Sequence, residues 1–378
     1  MKQNMIFGLL VILFTLSACT SGTSQPVPTI TSTAARAMQS PTEEPTMKPS
    51  PTKTGTSVPL KTPAPQDQHA YDQNRRLGRG VNLGNALEAP SEGEWGVMLE
   101  ESFFKLIADA GFKSIRIPIR WNAHADATPP YTVDPQFFFR VDWAVEQALK
   151  NDLAVVVNIH HYNELIEQPQ EQRERFLALW DQIAVHYKDY PDTLFFELLN
   201  EPNGPLNSDL LNPLTADAIQ VIRSSNPTRT LIAGPAEWFS LNQLASLKLP
   251  EGDRNLIVSF HYYQPFQFTH QGAEWVNGSN DWLGTDWEGL FFEKDVLIAD
   301  LDMALEWSKK NNRPLYLGEF GAYSKADMLS RVRWTEFIAR ESEKRGFSWA
   351  YWEFCAGFGV YDRAASGWNE PILKALIP

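Results

Sequence analysis

Two glutamates stand where apolar chain meets an abrupt polar stop. Leu194-Phe195-Phe196-Glu197-Leu198-Leu199 is a dense apolar run ending in Asn200-Glu201-Pro202. Such a run suits a strand buried on both faces of a parallel sheet. Pro202 has no N–H to give a ladder, so the strand must end there. Pro314-Leu315-Tyr316-Leu317-Gly318-Glu319-Phe320-Gly321 repeats the design further along. Two carboxylates on two strand ends could cleave a glycosidic bond, one as general acid/base and one as nucleophile. A strand-end Glu alone is more often solvated or salt-bridged, so the pair draws its meaning from its company. Glu197, inside the apolar run, has no evident role at this level.

The elements that must position the pair alternate. Strand-like segments read at 79–83, 114–119, 154–160, 194–199, 230–234, 256–261, 315–320 and 347–352. Helical spacing falls at 102–109, 135–150, 171–187, 213–224, 241–247, 291–310, 325–344 and 371–376, with Gly111 as a stop signal after the first. Eight β-α units predict an α/β fold, a (β/α)8 barrel; a doubly wound open sheet is the alternative. The polar residues favour the barrel. Asn82, Arg116, His160, Glu201, His261, Glu319 and Trp352 each fall at or just past the C-terminal end of a different strand. A barrel gathers all those ends around one cleft, whereas an open sheet spreads them along an edge.

The 378 residues carry a formal charge of −13, which disfavours nucleic acid as a partner and fits a neutral one. Met1 to Phe14 has the charged start and short apolar core of an export signal. It runs into Leu16-Ser17-Ala18-Cys19, which resembles a bacterial lipobox, with Cys19 as the lipidated residue. Residues 1–19 are thus expected to be a lipoprotein signal peptide, the rival being an ordinary signal cleaved nearby. Residues 20–68 are rich in Ser, Thr and Pro and cannot bury enough apolar surface to order themselves. They are expected to be a disordered tether, spanning roughly 150 Å if extended. Residues 69–378 remain as one catalytic domain. Cys355 is the only other cysteine, so no internal disulfide supports the fold and the core must suffice.

Arg116-Ile117-Pro118-Ile119-Arg120-Trp121, Asn158-Ile159-His160-His161, Asn200-Glu201-Pro202, Ser259-Phe260-His261-Tyr262-Tyr263, Gly318-Glu319-Phe320-Gly321 and Trp352 together resemble glycoside hydrolase family 5. Residues 79–88 and 266–276 are similar to its thermophilic cellulase/mannanase subgroup. The resemblance runs from Leu77 to the C-terminus, in the family's order. It implies a (β/α)8 fold and a retaining endo-β-glycanase acting on β-1,4-glucan and mannan. It implies Glu201 as acid/base and Glu319 as nucleophile. Retention would place the two carboxyls about 5–5.5 Å apart, and like charges that close keep one protonated.

The same resemblance gives Arg116, His261 and Tyr263 supporting roles around the pair, and Asn200 a hydrogen bond to the sugar 2-hydroxyl. His160 and His161 would line the subsite, although adjacent strand residues point oppositely unless the strand has ended. Asn82, Asn85 and Glu88 would bind sugar hydroxyls, and Trp352 would be a stacking platform. Trp121, Trp238, Trp275, Trp282, Trp287 and Trp368 lie in or near loops on that side. The aromatic-rich segment 264–289 suits a cleft wall.

Other signals fail on spacing. Gly78, Gly80 and Gly84 do not make a dinucleotide loop. His160-His161 is no HExxH and no Cys/His cluster offers a metal site, and no GxSxG elbow is present. Asn277-Gly278-Ser279 is a sequon by pattern only. The expectation is a cofactor-free and metal-free monomer, anchored at the cell surface through Cys19 or secreted, acting on a β-1,4-linked polysaccharide. Its rivals are an exo-acting β-glucosidase or transglycosylase, and a non-catalytic glycan-binding barrel.

Overall fold

A computed structural model describes residues 65–378. The expected signal peptide, Cys19 and the tether as far as residue 64 lie outside the described residues. Eight strands pair in parallel and in sequence order: β1 (Arg79–Asn82), β2 (Ser114–Ile117), β3 (Ala154–Asn158), β4 (Leu194–Glu197), β5 (Leu231–Ala233), β6 (Leu256–His261), β7 (Leu315–Phe320) and β8 (Ser348–Tyr351). β8 pairs back onto β1, Gly80 opposite Ala350. That closure makes the (β/α)8 barrel and excludes the open sheet.

Alternation along each strand separates two cores. Ala154, Val156, Phe195, Ile232, Ile257, Tyr316 and Ala350 fill the barrel interior together with Leu77. The larger core lies between the strands and the surrounding helices, and includes Val155, Val157, Leu194 and Phe196. The helix Pro135–Lys150 falls where its pattern put it, started by Asp134 accepting from Gln136 N and by Pro135 at its first position.

Two elements differ from expectation. The helix after β4 spans Ser208–Ser225, capped by Asn207, with Pro213 inside it rather than at its start. A helix over Pro65–Leu77 begins within the stretch read as tether. Its sequence is mostly polar, which is why composition hid it. Leu77 and Ala70 are its buried apolar residues, and the rest of its attachment is polar: Asp67 to Arg254 at 2.5 Å, Gln73 to Asp192 at 3.1 Å and Arg76 to Asp192 at 2.8 Å.

Register sets the level of the polar residues at the C-terminal mouth. Asn82 lies beside Arg116, Asn158 beside Glu197, and His261 beside Glu319. The register of β6 on β7 shifts just before His261. Such an irregularity re-aims the side chain that follows it. Gly318 permits it, since a Cβ there would lie 2.7 Å from Ser259 Oγ and 2.9 Å from His261 Nε2.

Candidate active site

The strand ends open into a cleft of about 1180 Å³, lined by Glu201, His261, Tyr263, Glu319, Trp352 and residues of the loops after β1, β3 and β5. Beneath it lies a fully buried guanidinium. Arg116 donates through Nη1 to Glu319 Oε1 (2.7 Å) and Asn82 Oδ1 (2.9 Å), through Nη2 to Asn200 Oδ1 (2.7 Å), and through Nε to Glu197 Oε2 (2.7 Å). Two carboxylates hold Arg116 firmly protonated against burial. Glu197 is thereby explained as the buried ion-pair partner of Arg116. Asn158 Nδ2 adds a second donor to it at 2.8 Å.

Glu319 has donors on both oxygens, Arg116 on Oε1 and the Tyr263 hydroxyl on Oε2 at 3.0 Å. Burial raises its carboxyl, Arg116 opposes that rise, and Glu201 adds to it. Glu201 is placed differently. Its backbone is left-handed, φ 44°, a costly conformation for a non-glycine residue and one that gathers at functional sites. Its Oε1 lies 2.7 Å from His261 Nδ1. Burial lowers His261 to about 4, so this partner is a neutral imidazole near pH 7. Burial raises Glu201 to about 7, with Glu197 adding to the rise and Arg116 opposing it. One proton on the pair therefore belongs on Glu201, and the charge on Glu319.

Glu201, His261 and Glu319 place one ligand-type atom each within 4.8 Å of one another. A cation could reach all three, but Arg116 already sets a positive charge on Glu319 and His261 is already engaged with Glu201. The arrangement suits proton transfer and nucleophilic attack across a short gap.

The remaining expected residues divide. His160 lines the cleft, and its Nδ1 accepts from Asn158 Nδ2 at 3.1 Å, leaving Nε2 to carry the proton. Its ring lies nearly parallel to Trp352, with centroids 6.1 Å apart. His161 faces the same cleft because β3 has ended and its φ is 47°. Asn85 and Glu88 line it too, with Glu88 accepting from the N–H groups of Asn85 and Ala86. Asn200 is oriented by Arg116 through its oxygen, which leaves its Nδ2 to donate.

Asn82 is a correction. It is fully buried, its oxygen taken by Arg116 and its nitrogen by carbonyls of Gly318, Ala350 and Tyr351. It braces the barrel mouth beneath the cleft and does not reach a sugar. Among the loop tryptophans, Trp238 and Trp275 line the cleft, while Trp121 and Trp287 are buried in the core. Trp282 packs on Phe266, and Trp368 on Phe354 and Tyr361. Trp95, which sequence reasoning passed over, lines the cleft and meets His161 edge-on at 5.4 Å. The Arg116–Glu197 pair was also missed. Its signal was present, since two opposite charges each sat in an apolar strand.

The profile described as cellulase (glycosyl hydrolase family 5) matches residues 78–357. Endoglucanase H of Acetivibrio thermocellus is 36% identical over 327 residues, covering 85% of this chain and 35% of that protein. This chain thus spans about a third of that relative's length. Two structures of Thermotoga maritima Cel5A, one in complex with mannotriose and one with cellobiose, are each 56% identical. Each superposes with a TM-score of 0.81, covering 82% of this chain and 100% of that one. With the matched profile spanning the barrel and its cleft, this chain belongs to glycosyl hydrolase family 5, the cellulase family.

Proposed function

We propose that the chain is a retaining endo-β-1,4-glycanase acting on β-1,4-glucan, and on mannan or glucomannan as well. The observation that carries this reading is the pair itself. Glu201 and Glu319 present oxygens within 4.8 Å of each other, compatible with the roughly 5–5.5 Å of retaining enzymes and short of the 6.5–9.5 Å that admits water between the groups. Trp95, Trp238 and Trp275 are exposed indoles on three different loops around the pair. Platforms on several sides suit a long chain bound across its middle, hence endo action. Support for both sugars comes from a relative captured with mannotriose and with cellobiose.

Glu319 attacks the anomeric carbon while protonated Glu201 gives its proton to the departing glycosidic oxygen. The C–O bond to the leaving sugar breaks as the bond to Glu319 forms. Esterification removes the Glu319 charge, and Glu201, now ionised, takes a proton from water as that water displaces Glu319. In this reading Asn200 Nδ2, left free by Arg116, donates to the sugar 2-hydroxyl, and Trp352 stacks on the ring. Export through residues 1–19, with anchoring by lipid on Cys19 and a tether to the barrel, is part of the same proposal. Among the described residues no helix is long and apolar enough to cross a membrane.

The test is reducing-sugar release from mixed-linkage β-glucan and from glucomannan, with Glu319→Gln alongside. The wild type should give oligosaccharides of mixed length, and the variant should lose about three orders of magnitude. Monomer as the only product would support the exo-acting reading. Binding without release would leave a non-catalytic glycan-binding barrel.

A further inference from the structure

Trp275 stands on the long segment between β6 and the helix Phe291–Asn311, with its indole exposed. The barrel core does not hold it. Ala273, Tyr323 and Phe358 form a small separate apolar cluster, with Tyr263, Val276 and Trp352 packed against it. Trp275 meets the Tyr323 ring edge-on at 5.0 Å. These residues come from the loops after β6, β7 and β8, and one carboxylate ties the first two loops together. Glu274 Oε2 accepts from the Tyr323 hydroxyl at 2.7 Å, and Oε1 from Lys325 Nζ at 2.6 Å. The same ammonium donates to the Gly272 carbonyl at 2.8 Å. Lys325 lies close over the Gly272 turn, where φ is +65° and a Cβ would come within 2.7 Å of its side chain.

We propose that Glu274, Lys325 and Tyr323 form a latch that positions Trp275 and so sets affinity for sugar units bound away from the cleaved bond. The proposal rests on the glycan-cleft reading given above. None of the three is a catalytic residue; they act through the indole. An exposed ion pair alone holds little. Here a hydroxyl and a carbonyl share it, and its task is to orient one loop while the barrel supplies stability. Lys325 and Tyr323, as donors, hold the Glu274 carboxyl at about 2, so it accepts from both as a carboxylate at neutral pH. An exposed charged latch is also weakened by salt, which a purely apolar wall would not be.

The experiment compares Lys325→Met and Lys325→Arg with the wild type on a β-1,4-glucan hexasaccharide and on an aryl cellobioside, at low and at about 0.5 M salt. Lys325→Met should raise KM for the hexasaccharide about five- to tenfold, the scale of one aromatic contact. Its kcat, and both constants for the short substrate, should move far less. Lys325→Arg should restore most of the loss, and salt should move the wild type toward the Met variant. Equal KM changes on both substrates, or none, would overturn the proposal. Hydrogen exchange of residues 270–279 gives a readout independent of catalysis and should quicken several-fold in Lys325→Met. Unchanged exchange would overturn the latch whatever the enzyme cleaves. A wild type that cleaves neither substrate, with quickened exchange in the variant, would overturn the glycan reading and the affinity role together while leaving the latch in place.

Discussion

Arg116 Nη1 lies 2.7 Å from Glu319 Oε1 with the guanidinium fully buried, so the charge on the proposed nucleophile is fixed from below before any substrate arrives. The same guanidinium reaches Glu197, Asn82 and Asn200. One planar fork with five donors serves three strand ends and the Asn-Glu-Pro turn, which a lysine ammonium cannot do.

Arg116→Lys should therefore lower kcat by about 10²–10³, the scale of removing a preorganised electrostatic partner. Arg116→Met leaves Glu197 and Glu319 buried without their cation and should destabilise the fold by about 3–5 kcal/mol. Steady-state kinetics and denaturant unfolding measure the two effects separately.

On the proposed mechanism, activity should fall on the alkaline side with an apparent pKa of about 7, because Glu201 must hold its proton to act as acid. The same mechanism gives the acid limb to Glu319, which must be ionised to attack and whose carboxyl burial raises above its usual range. Glu201→Gln, assayed on an aryl glycoside whose leaving group needs no proton, should lose the alkaline limb of the glycosylation step. A limb that persists unchanged in the variant would assign it to another group.

Glu88 gives stability a pH dependence. Burial raises its carboxyl from 4.5 to about 8. Between those values the folded protein keeps a proton that the unfolded chain has released. The stabilisation is complete below about 4.5 and is lost as pH rises toward 8. The melting temperature should decline across this window, and Glu88→Gln should flatten the decline. Thermal melts at several pH values test it.

Gly321→Ala should disturb the site from behind. A Cβ at Gly321 would lie 2.2 Å from the Trp352 carbonyl oxygen, which is backbone and cannot swing aside. The strain should cost about 1–3 kcal/mol and shift the Trp352 platform. A raised KM with a lowered melting temperature is the expected pair of changes. Gly346→Ala has open space at its Cβ and serves as the comparison for a left-handed glycine strained by φ alone.

Residue type and order were enough to place Glu201 and Glu319 at the ends of the fourth and seventh strands. Apolar runs, their polar stops and the helical spacing between them are local properties, and eight repeats of one unit leave few architectures. Other features lay beyond any local reading. The pairing of Arg116 with Glu197 spans 81 positions, and each charge alone looked misplaced in its strand. Asn82 fell at a strand end like the cleft-facing residues, and only the carbonyls of Gly318, Ala350 and Tyr351 closing over it made it a brace. The helix Pro65–Leu77 was hidden because only Ala70 and Leu77 among its described apolar residues are buried, and polar side chains make its other attachments. Sequence determined which residues could do chemistry and at which strand ends they stand. Tertiary structure decided which face the substrate and which hold the others in place, because an amide or a carboxylate takes its role from the atoms that distant strands bring within about 3 Å of it.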